Sequence, residues 1–227
     1  MKTVFIELFG KPEGIVIFQL LAATRFTVYL SLISFIGGAI LAAFLAYFSI
    51  KKKSLLRRLA TIYIWLFQST PLLMLLFIFG LGFPRLFAVE VNIWFAAGGA
   101  LILYASAYIG EVWRGAIESV SYNQWEAGRA VGLNFFSTFR LIVLPQAFKI
   151  SIAPTVGFMV QIIKGTSLAY IIGFQDLMLL GKRWANAPVP GSEPFIIFPL
   201  MAVMYFCLCY PLAVYAKHLE KKIILNN

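Results

Sequence analysis

Apolar runs long enough to cross a bilayer, separated by short polar breaks, fill most of the chain. A helix needs about 20 apolar residues to cross the hydrocarbon core. Segments at about 26–50, 58–80, 91–112, 145–164 and 195–216 meet that need, the fourth less cleanly than the others. Residues 165–194 do not fit the series. They hold Lys182, Arg183, Pro188 and Pro190, and their apolar stretch SLAYIIGF is too short to span. That segment is either re-entrant or interfacial, and periodicity does not separate the two. The pattern predicts an all-α membrane protein with five transmembrane helices.

Composition supports this. The 227 residues are 61% hydrophobic and only 12% charged, more apolar surface than a soluble domain of this size buries. A formal charge of +10 raises the question of nucleic acid. Nucleic-acid binding would gather the cations on one folded polar face with interleaved aromatics, whereas here they flank the apolar runs. Topology explains them better, because Lys and Arg accumulate at the cytoplasmic ends of spans. Lys51, Lys52, Lys53, Arg57 and Arg58 lie between the first two spans, Arg114 to Arg140 brackets the polar insert at 115–138, and Lys217, His218, Lys221 and Lys222 follow the last span. All fall on one side if the N-terminus is outside and the C-terminus cytoplasmic. The expected organisation is a periplasmic or interfacial segment at 1–23, a transmembrane domain at 24–217 and a cytoplasmic tail at 218–227.

Glu7, Lys11, Pro12 and Glu13 break the first apolar run early, so a cleaved signal is not expected. Cys207 and Cys209 share an apolar run and His218 is the only histidine, which argues against a disulfide framework or a metal site. No repeat of 20–50 residues is visible, so the symmetry of any pathway is expected from a second chain.

Within the insert, Gln124 to Arg129 combines helix formers with small side chains, and Gly132 offers a stop. Ala127, Gly128 and Ala130 permit close approach of a partner, and Glu126 presents a charge to it. On composition alone a solvated loop helix is the simpler reading. Spacing changes this. Glu126-Ala127-Gly128, then Gly132, then Ile142, Leu144 and Pro145 resembles the loop shared by permease subunits of ABC importers, Glu-Ala-Ala, three residues, Gly, nine residues, Ile, one residue, Leu-Pro. Gly128 replaces the second alanine, a loss of one methyl that weakens a helix by about 1 kcal/mol.

The resemblance covers about residues 20–222. STPLL at Ser69 to Leu73, AYIGEVWRGAIESV at Ala107 to Val120, LPQA at Leu144 to Ala147, KGTSL at Lys164 to Leu168 and HLEKK at His218 to Lys222 are similar to the polar amino acid branch of these permeases. It implies the type I importer permease fold in a bacterial inner membrane. It also implies a coupling helix in which Glu126, Ala127, Gly128 and Gly132 meet an ATPase dimer, a second permease chain, and a periplasmic or lipid-anchored solute-binding protein. The chain has no Gly-x-x-x-x-Gly-Lys-Ser/Thr loop, so ATP and Mg are expected on the partner ATPase, with no cofactor and no catalytic residue here. Membrane lipids are the remaining partner.

Candidate pathway residues follow from polar positions at membrane depth. Gln68, Ser69 and Thr70 precede Pro71, which cannot donate to the Phe67 carbonyl; the alternatives are a substrate-facing loosened backbone and an ordinary proline kink. Relatives usually carry Arg-Gly at Gln68-Ser69, and many have asparagine at Tyr104. Ser106 and Tyr108 either line a pathway or bond within the bundle. Gln161 is a candidate uncharged contact. Lys164, near Thr166, Ser167 and Asp176, snorkels, anchors the outer segment or meets a carboxylate. Glu111 and Arg114 share a helix face as a structural ion pair or a gate contact.

Two competing functions predict different sequences. A stand-alone channel or proton-coupled carrier favours intramembrane acidic relays and an internal repeat, and neither is visible. A membrane enzyme needs a His/Asp/Glu or Cys/His constellation, which is absent.

Overall fold

The computed structural model describes residues 13–50 and 55–225, of which 224 and 225 by backbone alone. Lys51, Lys52 and Lys53, and the charges Glu7 and Lys11 with Pro12, lie outside the described residues. All regular structure among the described residues is helical. This follows from the environment: hydrocarbon offers no partner for N–H or C=O, and a helix satisfies both internally. In chain order the helices are α1 (Glu13–Ile50), α2 (Leu55–Ser69), α3 (Leu72–Phe77), α4 (Phe83–Phe87), α5 (Ile93–Glu118), α6 (Tyr122–Ala130), α7 (Phe135–Thr138), α8 (Leu144–Thr166), α9 (Leu177–Ala185) and α10 (Pro194–Leu225). Four stretches are long and apolar enough to cross a membrane, Glu13–Ile50, Ile93–Glu118, Phe135–Ile172 and Pro194–Ile223, and the broken pair Leu55–Ser69 with Leu72–Phe87 makes a fifth when counted as one span.

The first helix is already formed at Glu13, the first described residue, well before the expected start near residue 26. Its early turns belong to the interior: Val16 and Leu20 are buried with Leu177, Ala185, Ile197 and Met201. A single Arg25 on an exposed face does not stop such a helix.

The chain divides into two compact units. The first combines the described residues up to Phe35 with Pro71–Ile102 and Val160–Pro211. In it α9 is drawn against α10 at Gly181, where an added Cβ would overlap the Met201 sulfur. Phe174 is buried and meets Trp94 edge-on, with ring centroids 4.7 Å apart. The second unit combines Ile36–Thr70, Leu103–Met159 and the chain from Leu212 onward. Here α1 and α5 close on each other at Gly38, whose absent Cβ would lie 2.6 Å from the Ala105 Cβ. Trp113 Nε1 donates to Thr155 Oγ1 at 2.9 Å and ties α5 to α8.

Prolines accompany three departures from regular α-helix. The expected straight span at 58–80 is instead interrupted at Ser69 to Pro71, where α2 ends and α3 begins. Two π-turns, Ile78–Gly82 and Phe139–Val143, each end two residues before a proline, Pro84 and Pro145. The missing proline N–H leaves an upstream carbonyl without its usual donor. In both cases the residue just before the proline donates five positions back, Phe83 to Ile78 and Leu144 to Phe139, the longer register of a π-turn. Residues 165–194 form a 3-10 stretch, Ser167–Ile172, then α9, then turns.

Candidate functional site

Helix α6 is a built element with defined ends. Ser121 caps its start, accepting from the Asn123 N–H at 3.3 Å. Its end is a Schellman closure: Leu133 N–H reaches the Gly128 carbonyl at 3.0 Å and Gly132 N–H the Arg129 carbonyl at 2.9 Å. Gly132 takes φ +80°, a left-handed conformation that a Cβ would strain. The sequence expectation of a stop at Gly132 thus has a specific geometry.

Gly128 is buried against α7. A Cβ there would come within 2.5 Å of Thr138 Cγ2 and 2.7 Å of Thr138 Oγ1. Thr138 is itself buried and fixed, its hydroxyl donating to the Asn134 carbonyl at 3.0 Å. The methyl missing from position 128 is therefore replaced in space by the Thr138 side chain. Trp125 stacks on Phe135 at 5.3 Å and lies against Phe139, which belongs to a core with Ala116, Val120, Val143 and Ala147. One side of α6 is thereby anchored. Glu126 and Ala127 stay exposed, and Val131 and Phe136 nearby expose 74% and 58% of their surface. Arg129 is occupied in part by Tyr122, whose ring its guanidinium faces at 5.7 Å.

The pathway candidates separate by unit. In the second unit Gln68 Nε2 donates to the Ala107 carbonyl at 3.4 Å, and the Gln68 carbonyl accepts from the Tyr108 hydroxyl at 3.5 Å. Thr70 Oγ1 donates to the Leu66 carbonyl at 2.8 Å. These hydroxyls supply donors to carbonyls at the end of α2, where Pro71 interrupts the ladder. Ser69 is exposed. Ser106 is fully buried: its hydroxyl donates to the Leu103 carbonyl at 2.8 Å and so accepts from Tyr63 at 2.7 Å. That is the arrangement of internal bonding. Tyr104, Tyr108 and Phe158 form an aromatic cluster, with Tyr108 and Phe158 stacked at 5.1 Å.

In the first unit Gln161 and Lys164 are exposed, whereas Thr166 is buried with its hydroxyl on the Ile163 carbonyl at 2.7 Å. Ser167 donates to the Lys164 carbonyl at 2.6 Å. Asp176 caps α9, accepting from Leu179 N–H at 2.9 Å and from the Tyr205 hydroxyl at 3.3 Å. Buried from solvent, its carboxyl is pushed up to about 6, with the backbone donors of Leu179 and Met178 pulling the other way. Thr27 Oγ1 accepts from the next amide, Leu177 N–H, at 3.2 Å.

Glu111 and Arg114 do pair, with Arg114 Nε 2.8 Å from one carboxylate oxygen and a second guanidinium nitrogen on the other. The pair is part of a chain of charges. Arg114 also meets Glu118 at 2.6 Å, and Glu118 meets Arg57 of α2 at 3.3 Å. The i, i+4 spacing of Arg114 and Glu118 could have signalled the first extension; nothing in the sequence announces Arg57. Among the described residues no group of three or more His, Cys, Asp or Glu side chains is placed to hold a metal ion.

Residues 35–225 match the family model of the binding-protein-dependent transport system inner membrane component. A probable amino-acid ABC transporter permease protein of Bacillus subtilis is 34% identical over 200 residues, covering 87% of this chain and 85% of that protein. A nopaline transport system permease protein of Agrobacterium fabrum is 36% identical over 188 residues, covering 79% and 78%. Among solved structures, an amino acid ABC transporter crystallised with histidines superposes with a TM-score of 0.82 at 23% identity, covering 89% of this chain and 93% of that one. An inward-facing methionine ABC transporter gives 0.74 at 15%, covering 90% and 95%.

Proposed function

Since this chain belongs to the family of binding-protein-dependent transport system inner membrane components, we propose that it is the permease subunit of an ATP-driven importer for a polar amino acid or an amino acid derivative such as an opine. The relatives whose names mention amino acids, glutamine, cystine, glutamate and nopaline support that solute class. The same membership favours an importer over a stand-alone channel or carrier.

The observation that carries the mechanism is the geometry of α6. A helix capped at Ser121, closed at Gly132 and pinned from behind by Trp125 and Gly128 presents Glu126 and Ala127 outward as one rigid surface. Such a surface can carry force only if it does not deform on contact. It receives the ATPase dimer, which binds ATP and Mg, and passes closure of that dimer to α5 and α8. This chain itself hydrolyses nothing. A solute-binding protein delivers the solute to the outer side, and a second permease chain completes the pathway. Gln161 and Lys164, exposed on α8, and Gln68, beside the break before Pro71, are the solute-facing candidates.

The experiment is reconstitution with the ATPase and binding protein in proteoliposomes. Glu126→Lys and Gly132→Asp should each leave membrane insertion intact while uptake per ATP hydrolysed collapses. Unchanged uptake in both would defeat the assignment of α6 as the contact.

A further inference from the structure

The first unit carries a groove of about 200 Å³ between the early turns of α1 and α9. Its wall is largely apolar, formed by Ala22, Ala23, Phe26, Leu179 and Leu180, yet Arg25 and Arg183 both border it. No acid lines the groove, and the ion pairs among the described residues belong to Arg57, Arg114 and their glutamates. The Arg25 guanidinium lies 4.6 Å from the Phe26 ring centre, a contact that leaves its hydrogen-bond donors without an anion. The positive-inside rule explains the cations of the polar insert and the tail, but on the expected topology it places Arg25 and Arg183 outside. Their position needs another reason.

The face of α1 that carries Arg25 supplies it. Leu21, Tyr29, Leu32 and Ile33 fall in register with Arg25 at spacings of three and four, and all are exposed. From Arg25 to Ile33 the helix rises about 12 Å, close to the thickness of one leaflet's hydrocarbon at ~15 Å. Unpaired guanidinium groups bordering an apolar groove, beside an apolar stripe, match an amphiphile with an anionic head. A free anion would gain nothing from the apolar wall. A second copy meeting this face about a two-fold axis would bring arginine towards arginine.

We propose that this groove binds an anionic phospholipid, its phosphodiester paired with Arg25 and Arg183 and an acyl chain lying along Tyr29, Leu32 and Ile33. The lipid would bridge α1 to α9, the helix whose first turn Asp176 and Thr27 already tether.

The test uses the permease purified with the subunits it assembles with, and counts the phosphatidylglycerol and phosphatidylcholine retained through purification by native mass spectrometry. The wild type should retain phosphatidylglycerol in preference. Arg25→Gln should lower that retention about fivefold, and Arg25→Gln with Arg183→Gln about thirtyfold. Arg85→Gln, a cation outside the groove, should change nothing. Ala22→Trp, which fills the groove and leaves both charges, should also abolish retention. Equal retention of the two lipids, or undiminished retention in the double variant, overturns the proposal. So does displacement by inorganic phosphate as effective as by phosphatidylglycerol vesicles, which marks a site for free anions. A change in the number of permease chains per complex on Ala22→Trp, with lipid unchanged, assigns the face to a second copy and overturns it too.

Discussion

Gly128 is where one methyl group matters, because Thr138 already fills the volume a Cβ would need. Gly128→Ala should gain helix propensity of about 1 kcal/mol and lose about 1–3 kcal/mol to overpacking, leaving the loop looser. Hydrogen exchange across residues 121–138 should accelerate, and adding Thr138→Ala should restore most of the protection. Protection unaltered by the single change would show that Thr138 simply rotates away. Asp176 makes a prediction of opposite kind, about charge. Burial raises its carboxyl to about 6 in the folded chain, so the ionised form is the penalised one. Its stabilising contribution is complete below the unfolded value near 4 and declines as pH rises through about 6. Asp176→Asn keeps an acceptor for the Leu179 N–H but cannot ionise. Thermal midpoints should fall between pH 4 and 6 in the wild type relative to this variant, and run parallel above that range.

Prolines and the residues just before them shape the elements. The π-turn at Phe139–Val143 joins α7 to α8, and Pro145 is the reason for it. Pro145→Ala supplies the missing N–H and lets the ladder revert to the ordinary register, turning α7 by as much as about 100° relative to α8. Global stability should shift by less than about 1 kcal/mol while coupled uptake drops; intact uptake would mean that the π-turn is not needed for α6 placement. The long apolar helices themselves were legible because hydrocarbon imposes a length. The early start of α1 was not, since whether a helix carrying Arg25 continues depends on burial of Val16 and Leu20 by α9 and α10. Neither was the break at Ser69 to Pro71, because a proline in an apolar run is compatible with a kink or with a break. Within the loop, Gly132 could be read from turn chemistry. Thr138 could not, because it lies ten positions beyond Gly128 and only the fold-back of α7 brings them together. Ser106 shows the same limit: a small hydroxyl at depth has one sequence signature whether it faces a pathway or, as here, a tyrosine.

For the whole molecule, exposed apolar surface beside α6 indicates where another subunit is needed. Burying the 58% of Phe136 now exposed in an ATPase cleft would contribute about 1–2 kcal/mol. Phe136→Asp should therefore weaken retention of the ATPase at least about tenfold in a pull-down from membranes, with no change in the amount of permease inserted. Equal retention would place the contact elsewhere. The packing of Gly128 on Thr138, and of Trp125 on Phe135 and Phe139, also bears on how such transporters diversify. A helix whose inner face is finished mainly by its own following turn takes much of its shape from residues 121–139, with the core around Ala116, Val120, Val143 and Ala147 as its seat. Residues 121–139 could then be exchanged as a cassette between permeases, carrying their choice of ATPase with them. Exchange of 122–130 alone would import a helix cut to fit a different position 138, so compatible families should vary these two positions together.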